Sequence, residues 1–232
     1  MESGPGHDPP PVAARWQTAG SGAHYAGGRF RTRRARERDP RLVARLLSRV
    51  QLDDPLSATV LDVPCGTGRL RSAATDALRR RGDAPAWAGA DVSESMLREV
   101  DGRGGALVCA SAGELPFATD AFDVVVCCRL LHHLIDAEER RAVLAELVRV
   151  ARSHVVASYW DAATYQAWRR RTKGPLRRRG RAETRRAVEW RVLREEIEAQ
   201  GARVVGRAHS LRFVSQQAFF LADVRAPAER AT

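Results

Sequence analysis

From Thr59 onward the chain alternates short apolar runs with longer stretches of helical periodicity, and this constrains its fold more than any other feature. Repeated strand–helix units place successive strands parallel in one sheet, with helices over its faces. Strands are expected at 60–63, 87–90, 106–109, 122–128 and 155–158, with helices between them. The best-defined helix is 137–151, where Val143, Leu144, Leu147, Val148 and Val150 form an apolar stripe. Glu138, Glu139, Arg140 and Arg141 are left for water. After a helix at 188–200, stopped by Gly201, come two β-prone runs at 203–207 and 218–224. Too few residues separate them for a crossover helix, so an antiparallel pair is expected.

The flanking segments read differently. Residues 1–22 are rich in Gly, Pro, Ala and Ser without periodic apolar positions, and are expected to form a mobile tail. They lack the basic-then-apolar order of an export signal, and no apolar run reaches membrane-spanning length, so a cytoplasmic protein is expected. In the 23–57 segment, Asp39 and Pro40 read as the opening of a helix with Leu42, Val43, Leu46, Leu47 and Val50 on its apolar face. The main domain is expected over 58–226, interrupted at about 161–187 by a basic insertion. Within it, Gly174, Pro175 and Gly180 favour a loop or short helices. Cys65, Cys109, Cys127 and Cys128 show no CxxC spacing and no histidines at zinc-finger intervals, so buried free thiols and no metal are expected.

Chemistry concentrates in four places. Val60-Leu61-Asp62-Val63-Pro64-Cys65-Gly66-Thr67-Gly68-Arg69-Leu70 is a strand, a glycine turn and a helix start. Its glycines let the backbone approach a ligand, or serve only the turn. Asp91 ends the next strand 25 residues after Gly66, close to the interval at which a carboxylate meets ribose hydroxyls; otherwise it caps the following helix. Together the two favour an adenosyl ligand. The third place is Ala110-Ser111-Ala112-Gly113-Glu114-Leu115-Pro116-Phe117. The fourth is the Phe122 strand, which ends near His132 and His133, each a general base or a structural histidine.

The ordered series DxPCGTGR, GADxS with a following ML, a polar stretch with LPF, and FDVV leading to LHHL resembles class I S-adenosylmethionine (SAM)-dependent methyltransferases, including many small-molecule methyltransferases, from about 60 to 158. The resemblance implies a Rossmann-like, doubly wound α/β fold: a mostly parallel seven-stranded sheet with an antiparallel C-terminal strand. It implies SAM as cofactor, with Asp62, Cys65, Gly66 and Gly68 around the methionine moiety and Asp91 on the ribose. Val92 and Met96 would flank the adenine, with Ser111 and Ala112 at its other edge. Pro64 and Ser111 depart from the pattern, standing where many relatives have a glycine and an aspartate. Arg129 is a candidate for the SAM carboxylate, or faces solvent. His133, and less directly His132, is the candidate base. Tyr25, with Phe30 as part of a lid, and Tyr159 and Trp160 beyond the Val155 strand are candidate acceptor contacts.

A net charge of +11 invites a phosphate-bearing partner. However, Lys173 is the single lysine among 39 basic residues, and arginine and alanine at this level resemble GC-rich codon usage. A small-molecule acceptor, anionic if the 169–186 arginines attract it, is therefore favoured over nucleic acid. The rivals are an RNA-directed methyltransferase and a non-catalytic SAM- or nucleic-acid-binding protein. A nicotinamide oxidoreductase is opposed by the incomplete GxGxxG, since Arg69, Leu70 and Arg71 follow Gly68.

Overall fold

The computed structural model describes residues 33–54, 56–79, 83–101, 105–177 and 185–225. The expected tail at 1–22, Tyr25 and Phe30 lie outside them. In chain order the elements are α1 (Arg33–Leu47), β1 (Thr59–Asp62), α2 (Arg71–Leu78), β2 (Ala86–Asp91), α3 (Glu94–Leu97), β3 (Ala106–Cys109) and β4 (Phe122–Cys127). A 3-10 turn (Leu131–His133) leads to α4 (Ala137–Val150), β5 (Ala151–Trp160), α5 (Tyr165–Arg177), α6 (Trp190–Glu198), β6 (Arg203–His209) and β7 (Gln217–Asp223).

The seven strands form one sheet in the order β3-β2-β1-β4-β5-β7-β6. Strands β1 to β5 pair parallel, and β7 runs antiparallel to both β5 and β6, so the expected sheet and its antiparallel C-terminal strand are present. The chain moves outward from β1 through β2 to β3, then returns to β4 on β1's other side. The carboxyl ends of β1 and β4 therefore flank a topological switch point, where open α/β sheets bind ligands.

Both faces of the sheet are covered, which is why its strands read as nearly continuous apolar runs. Val60, Val124, Val126, Val156, Phe219 and Leu221 share one core with Val43, Leu46 and Leu47 of α1 and with Ala74 and Leu78 of α2. The alternate residues Leu61, Val125, Val155, Ala157 and Phe220 pack with Leu144 and Leu147 of α4 and Leu193 and Ile197 of α6. Asp136 caps α4 by accepting from the Glu138 N–H at 3.1 Å.

Three local expectations need correction, and a fourth, the basic insertion, resolves to one of its two alternatives. α1 does not open at Asp39 and Pro40 but runs from Arg33 through both. The missing Pro40 N–H costs a helical bond, which the burial of Val43, Leu46 and Leu47 offsets. Arg140 is buried rather than wet. It makes a bidentate pair with Glu196, at 2.7 and 2.6 Å, that joins α4 to α6. Part of the basic insertion is a helix, α5. Its first N–H groups donate to a distant segment, Tyr165 to the Phe213 carbonyl and Gln166 to that of Val214, a tertiary start that local sequence does not carry. Cys109 is exposed on the edge strand β3, unlike the other three thiols.

Candidate cofactor site

The carboxyl end of β1 turns sharply and is tied to both neighbouring strands. The Val63 N–H donates to the Val126 carbonyl at 2.8 Å and the Cys65 N–H to that of Ala90 at 2.9 Å. Gly66 and Gly68 both have left-handed backbones, with φ +55 and +74. A Cβ on Gly66 would meet nothing within 4 Å, because it would enter open space; one on Gly68 would press on Val100 at 3.1 Å. Only Gly66 lines the cavity at the switch point, and Gly68 serves the turn behind it.

That cavity gathers most of the residues picked from sequence. Cys65, Gly66, Asp91, Val92, Met96, Ser111, Ala112, Arg129 and His133 line it. Asp91, nearly buried at the end of β2, accepts from the Gly66 N–H and the Ser93 N–H, each at 2.8 Å. Two donors leave part of a carboxylate's acceptor capacity for a ligand. Burial raises the Asp91 pKa above its ordinary value, with the two N–H bonds opposing the shift.

Asp62 lies beneath the turn, fully buried, and neither of its oxygens receives a hydrogen bond from the described residues. Burial pushes its pKa to about 8, against the pull of Arg69. Asp62 is absent from the cavity wall, so its expected contact with the methionine moiety is not formed by the wall itself, and an unsatisfied buried carboxyl is a costly feature. The thiols nearby are inert: burial raises Cys65 and Cys127, and lifts Cys128 to about 12.

Arg129 does not simply face solvent. Its backbone is left-handed, φ +67, its N–H donates to Ser158 Oγ at 2.7 Å, and its guanidinium meets Asp39 at 2.7 Å. Arg69, also on the cavity wall, reaches the same Asp39 oxygen at 3.0 Å. One fully buried carboxylate thus fixes two cavity arginines. From sequence Asp39 reads as a helix start, and Arg69 does not stand out. The usable signal is that Asp39 continues the α1 stripe of Val43, Leu46 and Leu47, an acid on an apolar face.

The two histidines separate. His133 lines the cavity, whereas His132 is fully buried behind it, with its ring 4.4 Å from that of His133 and stacked on Trp160 at 4.4 Å and 9°. Trp160 is otherwise held by Gln217, which accepts from its indole N–H at 3.1 Å. Tyr159 lies in the core, its hydroxyl bonded to Arg207 at 2.6 Å, and does not reach the cavity wall. Leu130, Leu134 and Val143, not singled out from sequence, supply apolar wall beside His133 and the Ser111 segment. No group of metal-ligating residues occurs among the described residues.

A mostly parallel sheet with a crevice at the β1/β4 switch and an acidic side chain ending β2 has the layout in which open α/β sheets bind nucleotides. Residues 60–154 match a family described as a methyltransferase domain. The chain resembles the SAH-bound magnesium protoporphyrin IX methyltransferase of Synechocystis, with a TM-score of 0.66 and 18% identity over 91% of this chain and 97% of that one. It also resembles a SAM-dependent methyltransferase of Clostridium acetobutylicum, with a TM-score of 0.59 and 10% identity over 87% and 94%. At these identities the likeness is one of fold. An Arabidopsis thaliana protein named tRNA (carboxymethyluridine(34)-5-O)-methyltransferase is 26% identical over 110 residues, which is 47% of this chain. The chain spans about a quarter of that relative's length, 25%. The match to the methyltransferase-domain family spans residues 60–154, and the chain shares the fold of the solved methyltransferases it resembles.

Proposed function

We propose that the protein transfers the methyl group of SAM to a small-molecule acceptor, with an anionic group where the acceptor meets the chain's arginines. The observation that carries this reading is the nearly buried Asp91 carboxylate, fixed by two N–H donors on the same cavity that Gly66 and His133 line. SAM supplies an electrophilic methyl on a sulfonium, so the protein has mainly to align the acceptor and exclude water. Asp91 holds the ribose hydroxyls, Val92 and Met96 pack on the adenine, and Ser111 and Ala112 border its other edge. Cys65 and Gly66 face the methionine moiety, over a turn kept in shape by Gly68. Asp62, fully buried and off the cavity wall, underlies that turn without touching the ligand. Arg129 and Arg69 hold the carboxylate.

On the acceptor side, His133 accepts the proton of a hydroxyl or amine nucleophile. His132, clamped between His133 and Trp160, keeps that ring in place. Leu130 and Leu134 offer the acceptor an apolar wall. Tyr159, a core residue, has no part in these contacts. The test is labelled-methyl SAM incubated with the protein and a cell extract split into low-mass and RNA fractions. The label is expected in the low-mass fraction, and label confined to RNA would overturn the proposal.

RNA methylation is the second reading, supported by the partial likeness to the plant tRNA enzyme and the charge of +11. Phosphate contacts would make binding fall steeply with salt. Turnover that is flat between low and moderate salt would exclude it.

A further inference from the structure

We propose that α5 and the 210–216 loop form a docking surface for an anionic lipid bilayer, an inference beyond the transfer reading and independent of it. Tyr165 and Trp168, stacked on each other at 5.7 Å, stand exposed on α5. Beside them, joined by the backbone bonds from Tyr165 and Gln166 to Phe213 and Val214, the loop exposes Leu211 at 61%, Phe213 at 67% and Val214. These five are the majority of the large apolar side chains exposed among the described residues. A contiguous exposed apolar patch marks an interaction surface, whereas scattered ones carry no meaning.

The conformation of Phe213 points the same way. Its φ is +65, a strained value for a bulky residue, and it presents its ring to water with Arg212 over it at 4.9 Å. Such strain persists where the surroundings over-determine it, and it concentrates at functional segments.

Charge names the occupant. No acidic residue occurs between Asp161 and Glu183, and Arg169, Arg171 and Arg212 stand exposed around the aromatic pair and the loop. Basic residues bordering exposed aromatic and aliphatic side chains are the composition of a surface that rests in the headgroup layer of an anionic membrane. Leu211 and Val214 decide against RNA, because aliphatic side chains do not stack on bases while they do enter an acyl boundary. The surface is linked to the cavity wall through two stacked rings. Arg170 of α5 covers Trp160 at 4.5 Å, Trp160 stacks on His132, and His133 follows in the cavity wall. A bilayer at this surface would lie beside the side from which an acceptor enters.

The test is co-sedimentation of the full chain, without SAM, with vesicles of phosphatidylglycerol and phosphatidylcholine, and with phosphatidylcholine alone. Binding is expected to the anionic vesicles only, and to weaken with salt. Reversing Arg169 or Arg212 to Glu should weaken it by about fivefold or more each. Phe213→Ser with Leu211→Ser should weaken it at least about tenfold. These positions are exposed, so each variant should bind SAM like the parent, which separates lost docking from lost folding. The proposal is overturned if anionic vesicles are not bound, if the apolar double variant binds as the parent does, or if a single-stranded RNA competes the protein off and binds the double variant unchanged.

Discussion

Replacing Asp62 by Asn should stabilise the folded protein. In the folded chain the Asp62 carboxyl is fully buried with no hydrogen-bond partner among the described residues, and burial raises its pKa from 3.8 to about 8. Between these values the unfolded chain is ionised and the folded chain protonated, so unfolding releases a proton and stability falls as pH rises. Above about 8 both states are ionised and the dependence ends. At 1.36 kcal/mol per pH unit, the cost at pH 7 has a ceiling of about 4 kcal/mol. Asn keeps the shape and cannot ionise. Its Tm at pH 7 should exceed the parent's by at most roughly 8–16 °C, at about 2–4 °C per kcal/mol for a chain of this size. The gain should vanish below pH 4. Differential scanning calorimetry from pH 3 to 9 reads both. A variant no more stable than the parent at pH 7, with the same pH slope, would refute the claim that a neutral carboxyl is trapped there.

Other outcomes follow from the same geometry. His133→Ala should lower kcat about a hundredfold and remove the acidic limb of the pH–rate profile; an unchanged profile would exclude His133 as base. Glu196→Gln, by leaving the buried Arg140 unpaired, should cost about 3 kcal/mol of stability in denaturant titrations without altering SAM binding. Asp39→Asn should loosen Arg69 and Arg129, weakening SAM more than methylthioadenosine, which lacks the amino-acid carboxylate. Equal losses for the two ligands would assign Asp39 a structural role.

Sequence pattern carried the sheet and the turn-and-acid corner of the cavity because both leave local signals. The apolar runs of the strands, the glycines of the Gly66 turn and the acid ending β2 can each be read from a few consecutive residues, although Gly66 and Asp91 meet across 25 positions. What it missed depends on distant contacts. Asp39 meets arginines 30 and 90 positions away, Arg140 meets Glu196 across 56 residues, and α5 takes its first hydrogen bonds from the β6–β7 loop. Tyr159 and Trp160 illustrate another limit. Their place at the end of a central strand was readable, but whether a ring turns to the cavity or the core depends on packing against Arg207, Trp190 and His132.

Isothermal calorimetry of SAM with the parent and with Asp91→Ala tests the central claim most directly. Micromolar-scale binding is expected for the parent, by analogy with ordinary enzyme–substrate constants. A loss of about a hundredfold is expected once the ribose carboxylate is gone, with Asp91→Asn in between. Equal affinity in a folded Asp91→Ala protein would contradict the account.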